Sequence, residues 1–170
     1  MNGFVRDSHR AISHLWVAQR SKTKSTFPSM LDHIVAGGQP YGISPMENVI
    51  KECGEEANIT PELARSARPV GAVSYCGVDH HNNMKRDVLM CFDLELPKSF
   101  TPTPVDGEVE KFELHTVNEV LGYILEGGGK GYKPNCHLVL IDFFIRHGLI
   151  SADTPYYLDI VSGLRNGGCN

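Results

Sequence analysis

A helix between Ser44 and Asn58 constrains the fold of this chain more than any other feature of the sequence. Ser44 can cap the helix, Pro45 suits its first position, and Glu47 stands three residues after the serine, which completes a capping box. Asn58 follows the last turn, where a left-handed residue usually ends a helix and asparagine is the best substitute for glycine. The sequence therefore predicts a helix over residues 45–57 with both ends defined.

The two sides of this helix differ in chemistry. Its apolar residues recur at helical spacing and should be buried. They are Met46, Val49, Ile50, Cys53 and Ala57. On the opposite side, Glu52 and Glu56 lie one turn apart and Glu55 falls beside them. Carboxylates gather in this way either because solvent screens them or because a cation such as Mg²⁺, which prefers oxygen ligands, sits among them. The cluster alone leaves both interpretations open.

Strand and helix patterns surround this helix. Strands are predicted at residues 14–19, 31–36, 70–78, 88–96 and 109–114, and further helices at 117–125 and 135–147. A polar loop with His80 and His81 should join the strands at residues 70–78 and 88–96. Residues 127–129 should form a glycine loop, and the sequence after residue 153 shows little pattern. Short strands mixed with separated helices indicate an α/β sandwich around a mixed sheet.

Length and composition bound the class of protein. At 170 residues the chain should be one domain, residues 1–170, with a core over about 14–150 and a tail at 151–170. A net charge of −4 gives no broad basic field for nucleic acid or anionic lipid. The apolar stretch at residues 137–145 is too short to span a membrane. We therefore expect a soluble protein whose partner is a small molecule, with no nucleic acid and no membrane.

The cysteines indicate a reducing compartment. There are five, an odd number, and none forms a Cys-x-x-Cys pair, which disfavours both zinc sites and disulfide frameworks. Residues 1–8 also lack the pattern of a secretory signal. We expect a cytoplasmic protein, with organellar targeting left open if the N-terminus is truncated.

Residues 37–59 resemble the Nudix box, a glycine followed at fixed spacing by a glutamate helix. Six positions match in register: Gly37, Glu52, Cys53, Glu55, Glu56 and Ile59. The resemblance implies a Nudix α/β/α sandwich and a hydrolase that cleaves a diphosphate linkage. It also implies that Glu52, Glu55 and Glu56 bind Mg²⁺, for which Mn²⁺ can substitute.

Three positions depart from the box. Ile43 stands in place of its first glutamate, Lys51 in place of arginine, and Asn58 in place of glycine. Asparagine tolerates the same left-handed backbone. The other two changes belong together, because an apolar residue accompanies the loss of a bidentate guanidinium. We expect Lys51 to position the neighbouring carboxylates as a point charge.

The resemblance extends beyond the box, to the Nudix branch associated with thiamine pyrophosphokinase. The matching stretches are residues 20–44, 85–89, 106–110 and 141–148. This branch implies a substrate like thiamine diphosphate, oxidised or otherwise damaged, that is cleaved to its monophosphate. Members often carry an additional N-terminal domain of about a hundred residues, comparable with a small domain, and we expect this chain to lack it.

Candidate catalytic and phosphate-binding residues follow from the resemblance and from charge. Glu52 and Glu55 are assigned to catalysis with the metal, and Glu108, after the turn at residues 106–107, is the candidate general base, although it is equally consistent with an exposed acid beside a turn. Arg20, Lys24 and Arg86 are candidate phosphate contacts.

Aromatic side chains and further cations complete the candidate substrate site. Lys22 and Lys85 could join the phosphate contacts, and Trp16, Phe27 and Tyr41 could stack on a cationic aromatic ring. Burial in the core is the alternative for Trp16.

Two other functions stay open. The Nudix scaffold also serves isopentenyl-diphosphate isomerase, which needs a cysteine and a metal segment near Gly37, where this chain has Ala-Gly-Gly-Gln at residues 36–39. A catalytically weak domain that binds a ligand or a partner protein is the other alternative, supported by Ile43 and Lys51.

Overall fold

The computed structural model describes residues 1–78, 82–125 and 131–167. The two histidines at positions 80 and 81 and the glycine loop at 127–129 lie outside these residues. The strands are β1 (Asn2–Arg6), β2 (Ile12–Arg20), β3 (Leu31–His33), β4 (Arg68–Val78), β5 (Met84–Glu95) and β6 (Val109–Thr116). The helices are α1 (Pro45–Ala57), α2 (Pro61–Ala64), α3 (Val117–Leu125), α4 (Pro134–Arg146) and α5 (Tyr157–Gly163).

One mixed sheet holds the six strands. Its order is β3-β2-β1-β5-β4, with β6 paired to β2. Only β1 and β5 run parallel among these pairs, with Asn2 opposite Asp93. Strand β6 follows one edge of β2, so β1 and β3 share the other edge, along the first and second parts of β2 respectively.

Helices cover both faces of this sheet. On one face, Cys53 and Ala57 of α1 pack with Phe92 and Leu94 of β5. On the other face, α3 and α4 pack against the side of β2 that carries Leu15 and Val17. The α/β/α sandwich predicted from the sequence is therefore confirmed. Among the described residues, no helix is long and apolar enough to cross a membrane.

The predicted strand at residues 31–36 was too long, since β3 ends at His33. Ile34 and Val35 are buried as the pattern required. However, the Val35 carbonyl accepts a hydrogen bond from the Met1 ammonium at 2.8 Å, and the Ala36 amide donates to Glu56 at 2.9 Å. These backbone groups therefore leave the sheet.

Three elements were missed in the sequence. β1 begins at Asn2 and pairs with the next strand, β2, and with β5, which is far along the chain. α2 has four residues, too few to show a helical period. α5 has seven residues, and although Tyr157, Ile160 and Val161 recur at helical spacing, that pattern is shorter than the window in which a helical period is recognised.

Candidate functional site

Helix α1 supports the candidate site and has the ends that the sequence predicted. The Ser44 hydroxyl accepts from the Glu47 amide at 3.2 Å, and the Glu47 carboxylate accepts from the Ser44 amide at 2.7 Å. Asn58 ends the helix with a φ of 54°. Because Cys53 and Ala57 are buried against the sheet, the rotation of α1 is fixed, and with it the direction of the glutamates.

The three glutamates of α1 have different surroundings. Glu56 is only 6% exposed and accepts the Ala36 amide. The Glu52 side chain is 15% exposed and lies so close to Gly37 that a Cβ built there would fall 2.2 Å from its Cδ. The Glu55 side chain is 51% exposed and pairs with Lys51. Glu52 and Glu56 thus share the loop at residues 36–37, whereas Glu55 points to solvent.

Glu56 is an unusual carboxylate. Burial, reinforced by the negative charges of Glu52, Asp32 and Asp106, raises its pKa to about 7 against the opposing hydrogen bond from Ala36. A divalent cation would relieve this accumulation of negative charge.

The donor chemistry of this site fits Mg²⁺. The described part of the chain contains no group of three His, Cys, Asp or Glu side chains arranged to hold a metal ion. The fit therefore depends on Glu52 and Glu56, and Mg²⁺ commonly takes one or two carboxylates with waters and phosphate oxygens in its remaining positions. Glu55 would have to exchange Lys51 for the metal before it could join them.

A cleft brings Glu56 together with residues from distant parts of the chain. Its lining consists of Ala18, Arg20, Lys24, Asp32, His33, Ala36, Glu56, Glu108 and Val109. Lys24 and Glu108 form an ion pair in it. The Glu108 backbone is anchored as well, because its carbonyl accepts the Ser21 amide at 2.8 Å and its amide donates to Asp106 at 2.9 Å. The structure thus places the candidate base in the same cleft as Glu56.

Arg20 has partners other than the predicted phosphate. Its guanidinium is buried and donates to Asp32 at 2.8 Å and to the carbonyls of Phe27 at 3.0 Å and Thr26 at 2.8 Å. Each of its three guanidinium nitrogens has a partner within the protein, so Arg20 lines the cleft as a paired cation.

Asp32 is a cleft residue that sequence reasoning missed. Although burial opposes it, Lys133 and further donors hold the pKa of Asp32 below its usual range. Lys133 lies 3.7 Å away, and the Cys136 thiol lies 3.1 Å from the other carboxylate oxygen. An aspartate inside an apolar strand pattern was the available signal, since aspartate is rarely buried unless paired.

Other candidates lie away from this cleft. Arg86 is on β5, where its side chain donates to the Gly167 carbonyl at 3.1 Å, and Lys85 pairs with Asp87. Trp16 packs with the core beneath α1, the alternative that the sequence left open. Phe27 and Tyr41 are exposed, and neither lines the cleft.

A glutamate helix that faces a cleft in an α/β/α sandwich is the arrangement of a Nudix domain. A family model described as the NUDIX domain matches residues 2–134. The chain belongs to this family.

Two plant relatives match the whole chain. It is 49% identical over 171 residues to "Nudix hydrolase 24, chloroplastic" and 50% identical over 171 residues to "Nudix hydrolase 20, chloroplastic", both of Arabidopsis thaliana. The chain covers only 45% and 44% of their lengths, so it spans about half of the curated relatives it matches. Because both names say chloroplastic, a cytoplasmic location for this chain stays a prediction.

Solved structures share the fold. A crystal structure from Deinococcus radiodurans is 26% identical, with a TM-score of 0.60 over 82% of this chain and 79% of that one. The NUDIX domain of Shewanella oneidensis NrtR, solved with ADP ribose, has a TM-score of 0.61 over 88% of this chain and 84% of that one. At 12% identity, this second likeness shows the fold alone.

Proposed function

We propose that this chain is a divalent-metal-dependent hydrolase that cleaves the diphosphate linkage of a small organic molecule. The observation that carries the proposal is the placement of Glu52 and Glu56 beside the loop at residues 36–37, with Glu56 in one cleft with Lys24 and Glu108. Membership of the NUDIX family and the hydrolase names of the two plant relatives support it.

The proposed reaction uses the cleft residues in separate roles. Water attacks one phosphorus, the anhydride P–O bond breaks, and Glu108 accepts the proton of the attacking water. Lys24 and the Ser21 amide hold Glu108 in place for this transfer. Glu52 and Glu56 would hold Mg²⁺, or Mn²⁺ in its place, which when bound polarises the phosphoryl oxygens and neutralises charge on the leaving phosphate.

The substrate is proposed to be an oxidised or otherwise damaged thiamine diphosphate. This assignment rests on the resemblance of residues 20–44, 85–89, 106–110 and 141–148 to the branch associated with thiamine pyrophosphokinase. Phe27 is exposed and lies outside the cleft, on the same loop as Lys24, where it is an available surface for a cationic ring.

The test is phosphate release from a panel of diphosphates, including oxidised thiamine diphosphates, with Mg²⁺ and with a chelator. We expect Glu52→Gln and Glu56→Gln each to lower kcat by about tenfold or more, because a neutral amide replaces a charged metal ligand. Glu62→Gln, an exposed acid on α2, is the matched control and should stay within about twofold. The metal assignment is wrong if both folded variants turn over substrate at the wild-type rate.

A catalytically weak binding domain is the second candidate. The observation in its favour is that Lys51 already pairs with Glu55 while Ile43 supplies no acid. No phosphate release from any member of the panel, together with a rise in Tm on adding a diphosphate, would favour this candidate.

The isomerase alternative is weakened by the surroundings of the cysteines. None of the described cysteines lines the cleft, and Cys53, on α1, is buried. Burial raises the pKa of Cys53 to about 12, so its thiol would not ionise readily.

A further inference from the structure

We infer that Arg20 is a positioning residue: its buried guanidinium braces the loop at residues 21–30 so that Lys24 is held against Glu108. The inference deepens the proposed function, on which it rests for its catalytic consequence. It replaces the phosphate contact predicted for Arg20 with an action through other residues.

The contacts of Arg20 have the form of a brace. Its Nη1 donates to Asp32 on β3, while its Nε and Nη2 donate to the carbonyls of Phe27 and Thr26, which belong to the loop. The Arg20 amide also donates to the Met30 carbonyl at 2.9 Å, which closes the base of the loop. One guanidinium therefore ties the far side of the loop to the sheet.

The loop needs such support because its backbone is strained. Phe27 and Ser29 have φ angles of 51° and 61°, in the left-handed region that side chains with a Cβ rarely adopt. Residues 25–29 are exposed, so packing contributes little to holding this conformation. Strained residues persist when their surroundings hold them, and the carbonyl of Phe27 is one of the two that Arg20 binds.

The other end of the loop reaches the candidate base. The Ser21 amide donates to the Glu108 carbonyl, the Lys24 amide donates to the Ser21 carbonyl at 3.1 Å, and the Lys24 ammonium pairs with the Glu108 carboxylate. A loop released at Thr26 and Phe27 would lose the geometry that presents Lys24. Glu108 would then lose its cation partner and its orientation.

Arg20→Lys separates the brace from the charge. A lysine at position 20 still offers a cation to Asp32, and Lys133 remains 3.7 Å from Asp32. The buried Asp32 carboxylate is therefore not left without an ion-pair partner. However, an ammonium lacks the planar fork that reaches a carboxylate and two carbonyls at fixed angles. The variant should fold and should lose the brace.

The experiment is a double-mutant cycle of R20K with Lys24→Met, measured as kcat/KM on the diphosphate that wild type cleaves best. We expect R20K to lower kcat/KM by about tenfold or more in the wild-type background and by less than about threefold when Lys24 is already absent. Hydrogen exchange of the amides at residues 21–30 should rise in R20K. Arg146→Lys is the matched control, because it alters another guanidinium that pairs with carboxylates, those of Asp93 and Asp142. It should leave the loop amides unchanged.

The outcomes separate this inference from the proposed function. Losses in kcat/KM that simply multiply in the double variant would show that Arg20 acts independently of Lys24, and the brace would be overturned. Unchanged exchange of residues 21–30 in R20K would overturn it as well, whatever the activity. If wild type cleaves no diphosphate, the proposed function fails, and hydrogen exchange alone still decides whether Arg20 braces the loop.

Discussion

Replacing Gly37 with alanine should disable the metal site without unfolding the protein. A Cβ at this position would fall 2.2 Å from Cδ of Glu52 and 2.4 and 2.6 Å from its two carboxylate oxygens. Ordinary contacts of a Cβ begin near 3.4 Å, so the carboxylate must move by about 1.2 Å or more. The backbone conformation at position 37 is open to alanine, because Gly37 does not have a positive φ.

The cost of this shift should appear in catalysis. A misplacement of about 1 Å can lower a rate by about a hundredfold, so we expect kcat/KM of Gly37→Ala to fall by about that factor. Stability should change little, because the displaced group is the end of a flexible side chain, and alanine in place of glycine reduces the entropy of the unfolded chain.

Gly38→Ala is the matched control. A Cβ there meets nothing within 4 Å, so this variant should keep its activity and its Tm. Both variants would be assayed for phosphate release and for thermal unfolding, in the wild-type and Glu52→Ala backgrounds, because alanine at position 52 lacks the atoms that the new Cβ would meet. The steric argument is refuted if Gly37→Ala is fully active, if Gly38→Ala loses as much, or if the loss persists when Glu52 is already alanine.

Two further predictions concern the charges of α1 and of the cleft residues His33 and Glu56. Lys51 pairs with Glu52 and Glu55, so Ile43→Glu with Lys51→Arg should retain more kcat/KM than the two single changes predict; strict additivity would show that the positions do not communicate. Burial lowers the pKa of His33 to about 3 in the folded state, whereas in the unfolded chain it is about 6.5. This depressed pKa makes stability fall as the pH drops from 6.5 toward 3. Glu56 has its pKa raised to about 7 in the folded state, so its effect on stability is the opposite: it makes stability rise as the pH drops from about 7 to about 4.5. In the Glu56→Gln variant, with a chelator present, the effect of His33 is no longer opposed. The unfolding free energy of this variant should therefore fall by up to about 1.4 kcal/mol for each pH unit below 6.5. Urea titrations that show the same unfolding free energy at each pH would contradict this.

Interactions between residues close in sequence were the ones that the sequence predicted well. The capping box joins Ser44 to Glu47, and the left-handed end at Asn58 is set within one turn of α1. The paired strands β4 and β5 and the helix α3 likewise follow from short patterns. Each of these features can be recognised from residue spacings that are counted along the chain.

Contacts across the fold could not be read in this way. Helical spacing places Glu52, Glu55 and Glu56 on one side of α1, but the loop at residues 36–37 covers two of them and leaves Glu55 exposed. The same holds for Arg20, which the sequence predicted to be a phosphate contact. Its partner Asp32 is in the next strand, and only the pairing of β2 with β3 brings the two together.

The balance of buried charge in the cleft supports Glu56 as the point where a cation belongs. Asp32 and Glu56 are both buried acids, but Asp32 is matched by the Arg20 guanidinium at 2.8 Å and by Lys133 at 3.7 Å. Within the described residues, Glu56 has no ion-pair partner and receives a single hydrogen bond from Ala36. A buried carboxylate without a cation costs several kcal/mol or takes up a proton instead. Because Asp32 is already neutralised, a divalent ion binds more favourably beside Glu56 and Glu52 than beside Asp32. The position beside Glu56 and Glu52 is also the one that the proposed hydrolysis requires.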